Sequence, residues 1–142
     1  MAGLNTTHHT APQGWIPLET TLAIDLIVVL YNGVLRFLRE ASTAVEWGDV
    51  QARRAAVRRA LNIIIYLQEC LRMNAGDRAA RALNEFYTSI FAQILQASES
   101  ASQKGLQNAI QCVTSVRNAW QEATVDPGTH LTPDAASVKA LI

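Results

Sequence analysis

Proline is absent from the whole stretch between Pro17 and Pro127. Because proline removes a backbone donor and clashes with the preceding helical turn, its absence leaves long helices uninterrupted. Cysteine is scarce: Cys70 and Cys112 stand far apart with no CxxC pair, which excludes a disulfide-dense secreted scaffold and a cysteine-based structural zinc site. Neither sign of charge is in excess. Twelve basic residues balance twelve acidic ones, for a formal net charge of zero, so the field that would draw the chain to nucleic acid or anionic lipid is missing. No apolar run reaches the roughly 18 residues that a membrane span requires, since the longest, Leu22–Leu35, is broken by Asp25, Asn32 and Gly33. Membrane insertion is therefore not expected. No Lys or Arg precedes Arg36 and no apolar h-region lies near the start, so a secretory signal peptide is not expected and a cytoplasmic location is.

Catalytic patterns are missing as well. There is no GxSxG, Walker-type or GxGxxG segment, so neither a nucleophile elbow nor a phosphate loop has a foothold. His8, His9 and His130 fall in the ends, none four residues from another histidine, and they read as surface side chains rather than metal ligands. Asp25, Glu69 and Glu85 lie on separate segments without the ExxH spacing of carboxylate metal bundles. Ser98, Ser100 and Ser102 have no paired histidine and read as loop and cap. The two cysteines read as buried small hydrophobes. No enzyme, cofactor or metal is expected.

What the chain does have is apolar periodicity. Of its 142 residues 49% are hydrophobic, enough for one core, and a fold of this size buries roughly 70% of its unfolded surface. The first helix is expected from about Thr21 to Glu46, with Leu22, Leu26, Val29, Gly33, Phe37, Ala41 and Ala44 along one face. The second follows Asp49 as N-cap, turns Val50, Val57, Leu61, Ile64, Leu67 and Leu71 inward, and ends near Asn74 with Gly76 as its stop. A third, capped by Asp77, presents Leu83, Phe86, Tyr87, Ile90, Ile94 and Ala97. The fourth, capped by Ser102, presents Leu106, Ile110, Val113, Val116 or Arg117, and Trp120. Short loops force antiparallel neighbours, so the expected fold is all-α: an antiparallel up-down four-helix bundle over residues 20–123. Residues 1–19 read as a flexible N-terminal segment and 124–142 as a linker. Within that tail Thr132, Pro133 and Asp134 supply a cap, a first helical position and a first-turn acid for a short extra helix.

Two surfaces stand out. A second stripe on the first helix, Ile24, Ile27, Val28, Tyr31 and Leu35, leaves its first half apolar nearly all round, so that helix is either central or covered by something else. Tyr31 and Leu35 on this stripe read as ordinary core in preference to a covered contact surface. The second surface is basic: between Asp49 and Arg81 seven arginines face three acids, including the run Arg53, Arg54, Arg58 and Arg59. Such a run is either a solvated helix face or a docking face for an acidic partner.

The segments LIVVLYNGVLRFLREA (Leu26 to Ala41), ALNIIIYLQECLRM (Ala60 to Met73), GDRAARALNEFYTSIFAQILQAS (Gly76 to Ser98) and VTSVRNAWQEA (Val113 to Ala123) together resemble the flagellar secretion chaperone FliS family. The likeness covers about Thr20 to Ala123 in order and spacing. Asn32 stands where the family usually has aspartate, and Ile65 and Tyr66 stand where it more often has polar residues. The resemblance implies a cytoplasmic export chaperone that binds the C-terminal helical region of flagellin, prevents its premature polymerisation and aids its delivery to the flagellar type III export gate. It marks Ile24, Ile27, Tyr31, Leu35, Ile63, Ile65 and Tyr66 as candidates for client contact, and Trp15, Ile16 and Leu18 of the N-terminal segment as the candidate cover of the client groove. Val138, Leu141 and Ile142 of the C-terminal segment form the other small apolar group that could cover a groove, and the resemblance favours the N-terminal one. An alternative from a different class is a four-helix adaptor that docks an acidic partner through its basic second helix.

Overall fold

Capping chemistry fixes where the helices begin and end. The computed structural model describes residues 18–72, 78–122, 130–131 and 134–142. Helix α1 (Leu18–Glu46) ends at Gly48, whose φ of +69° is a left-handed conformation that a side chain would strain. Gly48 N–H donates to Val45 O at 3.1 Å and Asp49 N–H to Ala44 O at 2.9 Å, closing the last carbonyls of the helix. Asp49 then starts the next one. Its carboxylate accepts from Ala52 N–H at 3.0 Å at the head of helix α2 (Val50–Cys70).

Helix α3 (Arg78–Glu99) closes in the same way as α1, with Ala101 at φ 49° and Ser102 N–H donating to Ala97 O at 2.9 Å. Ser102 Oγ accepts from Gly105 N–H at 2.9 Å and caps helix α4 (Gln103–Glu122), as its spacing predicts. Asp77 and Gly76, expected to cap and to stop helices, lie outside the described residues, as do Thr132 and Pro133.

Two boundaries differ from the expectation. Helix α1 begins three residues earlier than Thr21, and α2 ends at Cys70 rather than near Asn74. The second difference has a tertiary cause: strand β1 (Leu71–Arg72) turns extended and pairs antiparallel with strand β2 (His130–Leu131), Leu71 opposite Leu131 and Arg72 opposite His130. The short extra helix does form, as α5 (Ala135–Leu141). Its N-cap is Asp134, not Thr132, with the carboxylate accepting from Ala136 N–H at 3.1 Å and from Ser137 Oγ–H at 2.7 Å.

The four long helices form the up-down bundle, with α1 against α2 and α4, α3 against α2 and α4, and α5 laid across α1 and α2. The core is aliphatic: Leu30, Val34, Leu38, Ile63, Ile64, Leu67, Ile90, Ile94, Leu106 and Val113 are all closed from solvent. Across its diagonal the Tyr31 and Tyr87 hydroxyls meet in a buried hydrogen bond of 2.8 Å. Arg117, left open against Val116 by the periodicity, reaches back to α1 and donates to Asn32 Oδ1 at 3.0 Å, while Val116 packs on the core. Three expectations of burial fail: Val29 and Val50 are exposed, and so is Cys112. Val29 stands one position before the buried Leu30, on the side of α1 that its neighbours leave open, and Val50 is the first residue of α2, at the exposed end of that helix.

Trp120 is buried in the phase set by Leu106, Ile110 and Val113. We expect Trp120→Ala to cost about 3 kcal/mol or more, measured by denaturant unfolding; a loss below about 1 kcal/mol would mean the indole is not part of the core. At the α3–α4 turn, Ala101→Gly should raise stability by about 0.5–1 kcal/mol, because it relieves a left-handed alanine. An unchanged or lower midpoint would show that the turn is not strained there.

Candidate functional site

Helical spacing on α2 and α3 builds an open groove between them. Arg54, Val57 or Arg58, Leu61 and Ile65 recur at three- and four-residue steps on α2, and Phe91, Leu95 and Ser98 do so on α3, so the two rows line facing walls. The groove holds about 550 Å³ and is lined by Arg53, Arg54, Val57, Arg58, Leu61, Asn62, Ile65, Phe91, Leu95, Ser98 and Glu99. Its floor is apolar, and Ile65 and Leu95 stand open at 42% and 41% exposure. Its α2 wall, from Arg54 to Ile65, is about 16 Å long, enough for three turns of a docked helix.

The groove's rim is basic. Among the described residues the ion pair present is Arg36 with Glu40 at 3.5 Å, and no described carboxylate pairs with Arg53, Arg54 or Arg58. Arg53 Nε is buried without a hydrogen-bond partner, a cost that a ligand carboxylate would remove. The fourth arginine of the run goes elsewhere. Arg59 lies over the Phe37 ring, 4.4 Å from its centroid, and Arg36 lies 4.6 Å from the same centroid.

On its other side α2 carries the seat of α5. Val138 is 2% exposed and Leu141 packs on the core beside it. Tyr66 Oη accepts from Asp134 N–H at 2.8 Å, and Arg36 Nη2 donates to Ile142 O at 3.1 Å. Gly33 opens a notch in the floor of the seat. A Cβ there would lie 3.0 Å from both Ile142 Cγ2 and Ile63 Cδ1, so only a residue without a side chain lets Ile142 settle against α1 without displacement. Burial of Val138 contributes about 1.5–3 kcal/mol to holding the helix there.

The candidates for client contact divide accordingly. Ile24, Ile27, Tyr31, Leu35 and Ile63 are buried in the free chain, because α1 is central and α2, α4 and α5 cover it, so these five candidates for client contact are core side chains here. Ile65 stands in the open groove, while Tyr66 is half-buried and engaged by α5. Trp15 and Ile16 lie outside the described residues, and Leu18 enters only as the first residue of α1. From the C-terminal end, α5 covers the face of α1 and α2 on which it sits and does not line the groove. Phe91 and Leu95 were not among the candidates, yet the signal was there: both are large apolar residues one step off the inward row of Tyr87, Ile90, Ile94 and Ala97.

Burial of Tyr31 pushes its pKa up to about 12, partly offset by the Tyr87 hydroxyl and the nearby Trp120 indole. Burial likewise raises that of Tyr87 well above its ordinary value, and the adjacent Tyr31 raises it further. These hydroxyls stay protonated and hold structure rather than chemistry. Among the described residues no group of three or more His, Cys, Asp or Glu side chains gathers as a metal site, and no helix is long and apolar enough to cross a membrane.

The sequence model of the family described as flagellar protein FliS matches residues 18–127. The chain is 27% identical over 105 residues to the flagellar secretion chaperone FliS of Vibrio cholerae, covering 74% of this chain and 76% of that protein. It is 29% identical over 106 residues to the protein of the same name from Bacillus subtilis, covering 75% and 78%. The Salmonella typhimurium protein of that name is 29% identical over 99 residues, covering 69% and 73%. These relatives are named as chaperones, not as enzymes.

The tyrosine pair makes stability sensitive to alkali. Tyr31 has a higher pKa folded than unfolded, so its contribution is complete below the ordinary value of 10.0 and is lost as pH rises towards about 12. Denaturant midpoints should therefore be level up to about pH 9.5 and fall above pH 10, with at most about 3 kcal/mol lost through this group. Tyr31→Phe should cost about 1–2 kcal/mol at neutral pH by leaving the Tyr87 hydroxyl unpaired, and should flatten the alkaline fall. An equally steep fall in that variant would assign it to other groups.

Proposed function

The chain belongs to the flagellar protein FliS family, and from that premise we propose that it is a cytoplasmic export chaperone. Its client is the C-terminal helical region of flagellin, which it holds unpolymerised and helps deliver to the flagellar type III export gate. The observation that carries this reading is the groove between α2 and α3, apolar along its floor and open where Ile65 and Leu95 stand exposed. An amphipathic helix laid in such a groove buries its apolar face against the chaperone, so that face is unavailable for packing against other flagellin subunits. No catalytic group is required for that task. A chaperone must release its client, and a groove of this size, with only two large side chains standing clear of the surface, suits reversible binding.

The arginines favour a second reading on the same surface. Arg53, Arg54 and Arg58 line the groove without a described carboxylate partner, which suits an adaptor whose partner is acidic. The two readings differ in what dominates binding. A client held by apolar burial binds with a large negative heat-capacity change and persists in high salt, whereas a charge-led complex weakens as salt screens it.

Titration calorimetry with a flagellin C-terminal segment tests both. We expect binding with a negative heat-capacity change, less than tenfold weaker in 0.5 M than in 0.1 M salt (about 1.4 kcal/mol). Ile65→Glu and Leu95→Glu should each weaken binding at least tenfold (about 1.4 kcal/mol) without changing the helical circular dichroism. Wild-type affinity in both variants would remove the groove from the client site, and binding lost on adding salt would favour the adaptor.

A further inference from the structure

The C-terminal helix behaves as a ligand of the bundle rather than as part of it. The family match ends at residue 127, so β2 and α5 lie outside the region this chain shares with its relatives. Helix α5 has only seven residues, too few to be stable in water without a surface to dock on. It is held by the apolar side chains of Val138, Leu141 and Ile142 and by polar contacts from Tyr66 and Arg36. The spacing of those side chains from the capping residue Asp134 is four, seven and eight, the pattern of a helix that lays one face into a groove. The bundle is shaped to receive it, because Gly33 leaves the notch that Ile142 fills.

The seat and the open groove share a wall. On α2, Ile65 lines the groove while its neighbour Tyr66 binds the cap of α5. A client lying in the groove and continuing around α2 arrives at the seat. We infer that the face of α1 and α2 beneath α5 is a second helix-binding site. Residues 134–142 are its resident occupant, and a client helix of the same pattern displaces them: a capping Asp or Ser with aliphatic residues four, seven and eight positions further on. The inference rests on the reading of the chain as a binder of client helices. While the site is filled from within, apparent client affinity falls by the fraction of time the seat is occupied.

Hydrogen exchange on the full chain, with and without a flagellin C-terminal segment, separates this inference from the reading it rests on. In the free chain the Val138 amide donates to Asp134 O at 3.0 Å and the Ile142 amide to Val138 O at 3.1 Å, so both report on α5. Client should accelerate exchange at these two amides at least tenfold while slowing it in α2 and α3. Slowing in α2 and α3 with Val138 and Ile142 still protected would overturn the inference and leave the client site standing. No change anywhere would overturn both. As a second measurement, Val138→Asp combined with Leu141→Asp releases α5 and should tighten binding of the same segment about tenfold (about 1.4 kcal/mol); unchanged affinity in a variant with wild-type helical content would overturn the inference.

Discussion

Everything in this molecule depends on a helix that is apolar on more than one face. Helix α1 cannot satisfy itself against a single neighbour, so α2, α4 and α5 all lie against it, and its residues Ile27, Leu30, Tyr31, Val34, Leu35, Phe37 and Leu38 are closed from solvent. That demand sets the order of the bundle. The helix opposite α1 across the diagonal, α3, meets it through the Tyr31–Tyr87 hydrogen bond, where burying two hydroxyls is tolerable because each satisfies the other. Gly33 is the counterpart on the outer face, a place where the helix gives up a side chain so that a further element can approach.

With α1 enclosed, the binding surfaces fall to α2. One of its sides faces α3 across a groove with an apolar floor and a rim of arginines, and its other side supports the C-terminal helix. Net charge of zero conceals this local imbalance. The arginines also show how one stretch of sequence serves two ends: three rim the groove, while Arg59 stacks over Phe37 and covers the core with its guanidinium plane. A surface that combines apolar floor and basic rim is suited to an amphipathic helix, for which the floor supplies affinity and the rim supplies orientation.

Much of the fold was legible because its determinants are local. The caps at Asp49 and Ser102, the stop at Gly48 and the inward rows ending in Trp120 follow from short-range geometry and three- to four-residue spacing. The site was less so. Ile65 was found because it adds an apolar side chain beyond what the core row accounts for, and Phe91 and Leu95 carry the same signal on α3. Ile24, Ile27, Tyr31, Leu35 and Ile63 carry it too and are nevertheless buried. An apolar residue off the main row states only that something must cover it.

The sequence by itself determined that there are four long helices, that they run antiparallel and that the first is enclosed. Each of these follows from periodicity, capping residues or composition, which act within a few turns of chain. Only the tertiary structure decided which surplus apolar residues stay open and which are covered. It also ended α2 at Cys70, where pairing of Leu71–Arg72 with His130–Leu131 overrides local helix propensity, and it brought α5 onto Gly33 and Tyr66 from about 70 to 110 residues away in sequence. Contacts of that range cost loop-closure entropy and are rewarded only by the complementarity of the finished surfaces, which no local pattern records.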